Sequence, residues 1–170
     1  MKKIIIAITS FILIIFTILI FSKPSRYELM KKANMISAGS YAFSETYNLN
    51  YSEAKVIKAI KEFKEQNPIH QVPEVSISSN SSFVLEDKRS ENGLWFIVYF
   101  YDANKNKILN IAVRGNETNT NLEFESVNDG LKIGNWKRIN LDFSYDENEQ
   151  LKKRFEESFL NSIKKLLESS

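Results

Sequence analysis

The chain has 170 residues, 43% hydrophobic and 26% charged, with a formal net charge of +2, a balance that describes a globular protein and not a disordered one. Basic and acidic residues alternate and form no basic stripe of the kind that neutralises phosphates, so no nucleic-acid partner is expected. With no cysteine, disulfides, thiolate metal sites, sulfur nucleophiles and a lipid-modified lipoprotein anchor are excluded.

Lys2 and Lys3 precede an apolar run from Ile4 to Phe21, interrupted only by Thr9, Ser10 and Thr17. As a helix this run extends about 27 Å, close to the hydrocarbon thickness of a bilayer. A cleaved export signal has a shorter apolar core and small residues at the cut, and Ser22 with Ile20 two positions before it fits that poorly. Residues 1–23 are therefore expected to be a retained transmembrane anchor, meeting the membrane through 4–21; a cleaved leader and a secreted domain is the alternative. Lys23, Arg26, Lys31 and Lys32 balance the two leading lysines, so charge alone does not orient the segment. The short, doubly basic start behaves like that of an export signal and places the domain outside the cytoplasm, on the periplasmic side.

Residues 24–50 read as a juxtamembrane helix and a connection. Leu29, Ala33 and Ile36 share one helical side within 27–36, Gly39 interrupts, and 41–49 is an extended stretch without clear pattern. A single soluble domain is expected over 51–170. It opens with a helix from Ser52, a suitable N-cap, to Gln66, with Val56, Ile57, Ile60 and Phe63 on one face and Pro68 beyond its end. The lysines on its other side are interspersed with glutamates and read as a solvated face.

From Ile69 to Gly93 the chain is polar and reads as a connection, with short strands at 75–77 and 83–85. Leu94 to Tyr101, LWFIVYFY, is a β-branched and aromatic run expected to be a strand covered on both faces. A polar turn over 102–106 and a returning strand over 107–114 complete a hairpin. Leu109, Ile111 and Val113 lie on one side of it, Ile108, Asn110, Ala112 and Arg114 on the other. A strand over 121–127 carries Leu122 and Phe124 opposite two glutamates. Ile139, Leu141, Phe143 and Tyr145 alternate with polar residues as in a half-buried strand. Asp146 with Glu149 then reads as a capping box opening a long helix, striped by Leu151, Phe155, Phe159, Ile163 and Leu166. The fold class is therefore α+β: two N-terminal helices, an antiparallel meander of about four to five strands, and a long C-terminal helix packed on the sheet, all preceded by one transmembrane helix.

Chemical signatures are few. His70 is the only histidine; no Gly-x-Ser-x-Gly elbow accompanies it, and Pro68 and Pro73 around it indicate an exposed loop. Asp142, Asp146, Glu147 and Glu149 cluster in sequence, but helix capping accounts for them and calcium-loop spacing is missing. No Gly-rich phosphate loop occurs. No catalytic residue, cofactor or metal is expected, although two carboxylates that pair only in space leave no trace in sequence.

The aromatic strand carries the functional content. One side presents Trp95, Ile97, Tyr99 and Tyr101, and hairpin register decides whether that side is core or surface. Pairing Tyr101 with Lys107 buries it with Leu109, Ile111 and Val113. Pairing Tyr101 with Asn106 sets it beside Ile108, Asn110 and Ala112, partly exposed, where Trp and Tyr suit a contact patch. The candidate partner-contact residues are accordingly Trp95, Tyr99, Tyr101, Arg114 and Trp136. Trp136 reads first as a core or edge aromatic.

The stretch GNWKRINLDFS from Gly134 to Ser144, with Glu65–Pro68 and the aromatic strand after Gly93, resembles small membrane-anchored envelope proteins of Bacteroidetes-type bacteria. The likeness covers residues 50–170. It implies an envelope setting and no particular activity. The function expected is that of a membrane-tethered envelope protein whose non-catalytic domain binds a protein partner, for example in secretion or toxin neutralisation. The alternatives are a small-ligand or lipid-binding domain with a pocket between sheet and helices, and a carboxylate-based hydrolase of wall polymers.

Overall fold

Apolar residues on one face of three consecutive strands build the hydrophobic core. In the computed structural model, which describes residues 2–21, 23–37, 41–78 and 81–169, with side-chain surroundings for 8–17, 26–33, 41–77 and 81–169, the chain divides into two units, 1–42 and 43–170.

The first unit consists of helices α1 (Lys2–Phe21) and α2 (Lys23–Ser37). Ile8, Phe11, Ile12, Leu13, Ile14, Ile15 and Phe16 of α1 are exposed. Among the described residues no helix is long and apolar enough to cross a membrane. The run expected to do so, 4–21, lies in part outside them, since the side chains of 4–7 and 18–21 are not described.

The second unit is α+β, with an antiparallel sheet and a long C-terminal helix. Its elements are β1 (Glu45–Leu49), α3 (Glu53–Gln66), β2 (Val75–Ser78), β3 (Ser81–Phe83), β4 (Lys88–Arg89), β5 (Phe96–Asp102), β6 (Lys107–Gly115), β7 (Thr120–Asp129), β8 (Trp136–Arg138), α4 (Tyr145–Phe155) and α5 (Asn161–Ser169). The main sheet runs β1-β7-β6-β5-β4, with β8 also on β7; β2 and β3 form a separate hairpin. The segment 69–93, expected as a connection with short strands at 75–77 and 83–85, contributes three short strands, β2 at the first of those places, β3 close to the second, and β4 besides.

One sheet face is predominantly apolar. Phe96, Val98 and Phe100 of β5 stand opposite Val113, Ile111 and Leu109 of β6, and Leu122, Phe124 and Val127 of β7 continue the layer, all of them buried. Helices α3 and α4–α5 cover this face with Val56, Ile60, Phe63, Phe155, Phe159 and Ile163. Phe63, Phe100, Phe124, Phe155 and Phe159 meet with ring centroids 5.0–6.4 Å apart, the tilted and edge-on spacing aromatic rings favour. The space between sheet and helices, expected in one reading to hold a ligand, is occupied by these rings.

Local chemistry sets the element ends. Ser52 Oγ accepts from the Lys55 N–H at 3.3 Å and starts α3, as its residue type predicts. Glu53, one residue on, accepts the Gly115 N–H at 2.7 Å and pairs with Arg89, tying the helix to the β6–β7 turn and to β4. The free edge of β5 beyond β4 is closed by side chains. Tyr99 N–H donates to Asp87 Oδ1 at 3.0 Å, Lys64 Nζ donates to the Tyr99 carbonyl at 3.1 Å, and His70 Nδ1 lies 3.1 Å from the Tyr101 carbonyl. A carbonyl only accepts, so Nδ1 carries the proton. Edge groups left bare would template pairing with another chain.

Four expectations are corrected. His70 is half-buried, stacked on Phe63 at 5.6 Å and edge-on to Phe159 at 4.7 Å; its imidazole extends the aromatic layer, which the flanking prolines do not reveal. The expected strand 139–145 is a turn that leads into α4 at Tyr145. Asn140 adopts φ +59°, Asp142 Oδ2 accepts the Arg138 N–H at 2.7 Å, and such side-chain bonds offer the backbone an alternative to a ladder; Ile139 and Phe143 are buried within that turn. The capping box is Ser144 with Glu147, two residues before the expected Asp146 and Glu149. Finally, the hairpin pairs Asp102 with Lys107 and Tyr101 with Ile108, a register shifted from both considered. Its face assignment is that of the second: the Trp/Tyr side meets Ile108, Asn110 and Ala112.

Candidate functional site

The sheet face opposite the helices carries the candidate site, and a break in β7 creates it. Asn110 pairs with Ser126, but Ile111 pairs with Phe124, so Glu125 is an extra residue in β7. Such a bulge turns two successive side chains to one face. Glu125 and Ser126 therefore both stand beside Asn110. Glu125 Oε2 accepts from Asn110 Nδ2 at 2.7 Å and from the Ser126 hydroxyl, while Asn110 Nδ2 also reaches Ser126 Oγ at 3.4 Å.

Around this polar floor lies a groove of about 520 Å³. Tyr99 flanks it from β5, where it pairs with Asn110. Trp136 and Arg138 flank it from β8, whose register puts Arg138 opposite Ser126. Leu85 and Ile133 complete its apolar lining. The Tyr99 and Trp136 rings stand 6.1 Å apart at 44°.

The loop that delivers Ile133 and Trp136 is held from within. Asn128, fully buried, donates from Nδ2 to the carbonyls of Gly130 and Lys132 at 3.0 and 2.9 Å, and its Oδ1 accepts the Asn135 N–H at 3.2 Å. Gly130 and Gly134, at φ +74° and +137°, supply backbone angles that residues with a Cβ rarely adopt. Ser76 of β2 braces the loop by bonding Leu131 and Ile133 through its backbone at 2.9 and 2.7 Å.

The electrostatics of the groove are uneven. Arg138 Nε lies 3.6 Å from Asp142 Oδ2, and its guanidinium sits 5.6 Å over the Phe43 ring. Asp87, below Tyr99, is paired with Lys64 at 2.5 Å. Glu125 has no cationic partner among the described residues, and its hydrogen bonds come from neutral groups. Asn110 Oδ1 is buried and accepts no hydrogen bond. Burial first, then the charges of Asp87 and Glu125, raises the Tyr99 hydroxyl above the ordinary tyrosine range.

Of the residues singled out in the sequence, Tyr99 and Trp136 are brought together here. Trp95 and Arg114 form a separate pair, the guanidinium 5.6 Å over the indole. Tyr101, at the far end of β5, donates its hydroxyl to Asn106 Oδ1 at 2.9 Å. Asn110, Glu125, Ser126 and Arg138 were not singled out. One signal was available: buried apolar residues of β7 fall at 122, 124 and 127, and the final step of three marks the bulge.

A second, smaller cavity of about 250 Å³ includes Lys105, Lys107 and Arg154 in its lining. Lys107 is already paired with Asp129 and Arg154 with Asp102. Among the described residues no group of three or more acidic or histidine side chains is placed to hold a metal ion. Compared with protein-family models, curated proteins and solved structures, the chain matches none of them.

Proposed function

We propose that this chain is a membrane-held binding protein: α1 is its transmembrane anchor, and the domain, on the outer side of the membrane, recognises another protein through the groove between Tyr99 and Trp136 without catalysing a reaction. The observation that carries the reading is the groove itself, where two aromatic rings flank a polar floor that holds a half-buried carboxylate, Glu125, bonded only through Oε2 among the described residues. Half-exposed aromatic side chains beside a partly exposed, unpaired charge are what a partner covers and completes. The tether is supported by α1, whose residues from Phe11 to Phe16 expose apolar side chains in every direction. A helix apolar all round is stable where its surroundings are apolar.

Site-specific photocrosslinking in the producing cell tests this. A photoreactive residue at position 85 or 133, on the groove, is expected to capture one discrete protein. The same residue at position 164, on the exposed side of α5, captures none. Equal capture from both places, or capture from neither, refutes the groove as the recognition surface.

A further inference from the structure

We propose that the groove receives a basic side chain, lysine or arginine, presented by the protein partner, with Glu125 as its counter-charge; this rests on the reading of the groove as the partner surface. Among the groove residues, Arg138 is matched by Asp142, and nearby Asp87 is matched by Lys64. Glu125 remains, half-buried at the bulge and bonded only through Oε2, to an amide and a hydroxyl. A carboxylate withdrawn from water without a cation is costly, and a cationic ligand relieves that cost.

Hydrogen-bond supply points the same way. Because Asn110 turns its Nδ2 toward Glu125, its Oδ1 is left as a buried acceptor without a donor. Glu125 Oε1 likewise accepts nothing among the described residues. An ammonium brings three donors and no acceptor, and a guanidinium five, so either supplies the charge and the donors that Glu125 lacks. An anionic ligand would meet the carboxylate with like charge. A neutral hydroxylated one would leave the charge unmatched.

The walls suit the remainder of such a side chain. Tyr99 and Trp136 line the groove with aromatic rings, and the attraction of a ring for a cation strengthens as water is excluded. Leu85 and Ile133 offer apolar surface to its methylene stem, which long basic side chains bury while the charged head is satisfied elsewhere. The negative field is already felt by Tyr99, whose hydroxyl is raised by burial and then by Asp87 and Glu125.

The test uses the full chain in detergent micelles, with the Trp136 indole N–H signal as reporter. Acetyl-Gly-Lys-Gly-amide and its arginine counterpart are expected to shift that signal saturably, and the norleucine counterpart is not. Butylamine, the side chain without its backbone, is expected to bind more weakly than the lysine peptide. Glu125→Gln, which keeps the shape of the side chain, is expected to lower lysine-peptide affinity about tenfold or more, the equivalent of one charge-assisted hydrogen bond. An unchanged Trp95 signal shows that the variant is folded. In the wild-type chain, rising salt is expected to weaken the lysine peptide, because screening weakens charge pairing.

Norleucine binding as well as lysine overturns the inference, as does salt-independent binding or a Glu125→Gln variant with unaltered affinity. Butylamine binding as tightly as the peptide would make this a small-amine site and overturn the assignment to a protein side chain. If cross-links from positions 85 and 133 persist while the peptides fail to discriminate, the cationic anchor falls and the partner surface stands; if both fail, both readings fall.

Discussion

Asp102 shows what one buried charge does in this fold. It ends β5 on the helix-covered face and is only 4% exposed. Arg154 of α4 grips it with two hydrogen bonds, one of them Nη2 to Oδ1 at 2.7 Å. Burial works to raise its carboxyl, but Arg154 and the N–H groups of Lys105 and Asn104 overcome burial and hold it below the ordinary carboxylate range. A carboxyl lowered by folding contributes stability that is complete above its unfolded value, about 3.9, and is lost as pH falls through the lower folded value. Asp102→Asn is therefore expected to cost about 2 kcal/mol at neutral pH, a figure reduced because Arg154 is one-third exposed. As pH drops below about 4 the gap between wild type and variant narrows, since protonation of Asp102 abolishes the same interaction in the wild type. Urea-unfolding midpoints of both chains at stepped pH measure this; a gap that is constant across pH assigns the loss to packing instead of charge.

Among the elements, the C-terminal helix separates what residue pattern conveys from what it does not. Its existence and its Phe155, Phe159 and Ile163 stripe follow from apolar spacing, because that spacing is the physical cause of burial. Its start does not, since Ser144, Asp146 and their glutamates offer two overlapping capping boxes and only packing decides. The structure takes Ser144, whose Oγ accepts from Glu147 while the Glu147 carboxylate accepts the Ser144 N–H at 3.0 Å. Ser144→Ala is accordingly expected to cost about 1 kcal/mol in thermal unfolding, and Asp146→Ala no more than about half of that, through the helix dipole alone. Equal costs, or the reverse order, would return the cap to Asp146. Further along, Glu156–Leu160 is a π-helical turn in which the Asn161 N–H bonds the Glu156 carbonyl. The extra residue in that turn rotates the buried stripe, so Leu160 and Leu167 are buried and Leu166 is only partly so. A regular 3.6-residue period extrapolated from Leu151 places Leu166 in the core and misses this shift.

The sheet shows the same division. In β6 the grouping of Leu109, Ile111 and Val113 on one face is legible and they are core, although Ile108 and Ala112 on the other face are buried as well. Register is not legible, because it depends on how the polar loop spends its residues, including Asn106 at φ +50°. The candidate site was legible by half. Tyr99 and Trp136 stand out as residue types, whereas Asn110, Glu125 and Ser126 are ordinary polar residues made distinctive only by one inserted position in β7.

At the scale of the whole molecule, the tether and the binding domain are separable claims, and the tether is tested apart from the groove. Helix α1 has 20 residues, which at about 1.5 Å each reaches the depth of a bilayer core. Placing lysine near the centre of such a helix opposes insertion by about 2.5–3.5 kcal/mol each. The double variant Ile12→Lys, Leu13→Lys sets two charges at adjacent central positions that point in different directions around the axis, so rotation about the helix hides only one of them. Wild-type chain is expected to remain with the membrane pellet through an alkaline wash, and the variant to enter the supernatant. No core residue of the 43–170 unit is altered, so the thermal unfolding of that unit is expected to stay unchanged, which separates loss of insertion from loss of fold. Wild type that washes off, or a variant that stays in the pellet, would remove the membrane from the account and leave the groove to be judged alone.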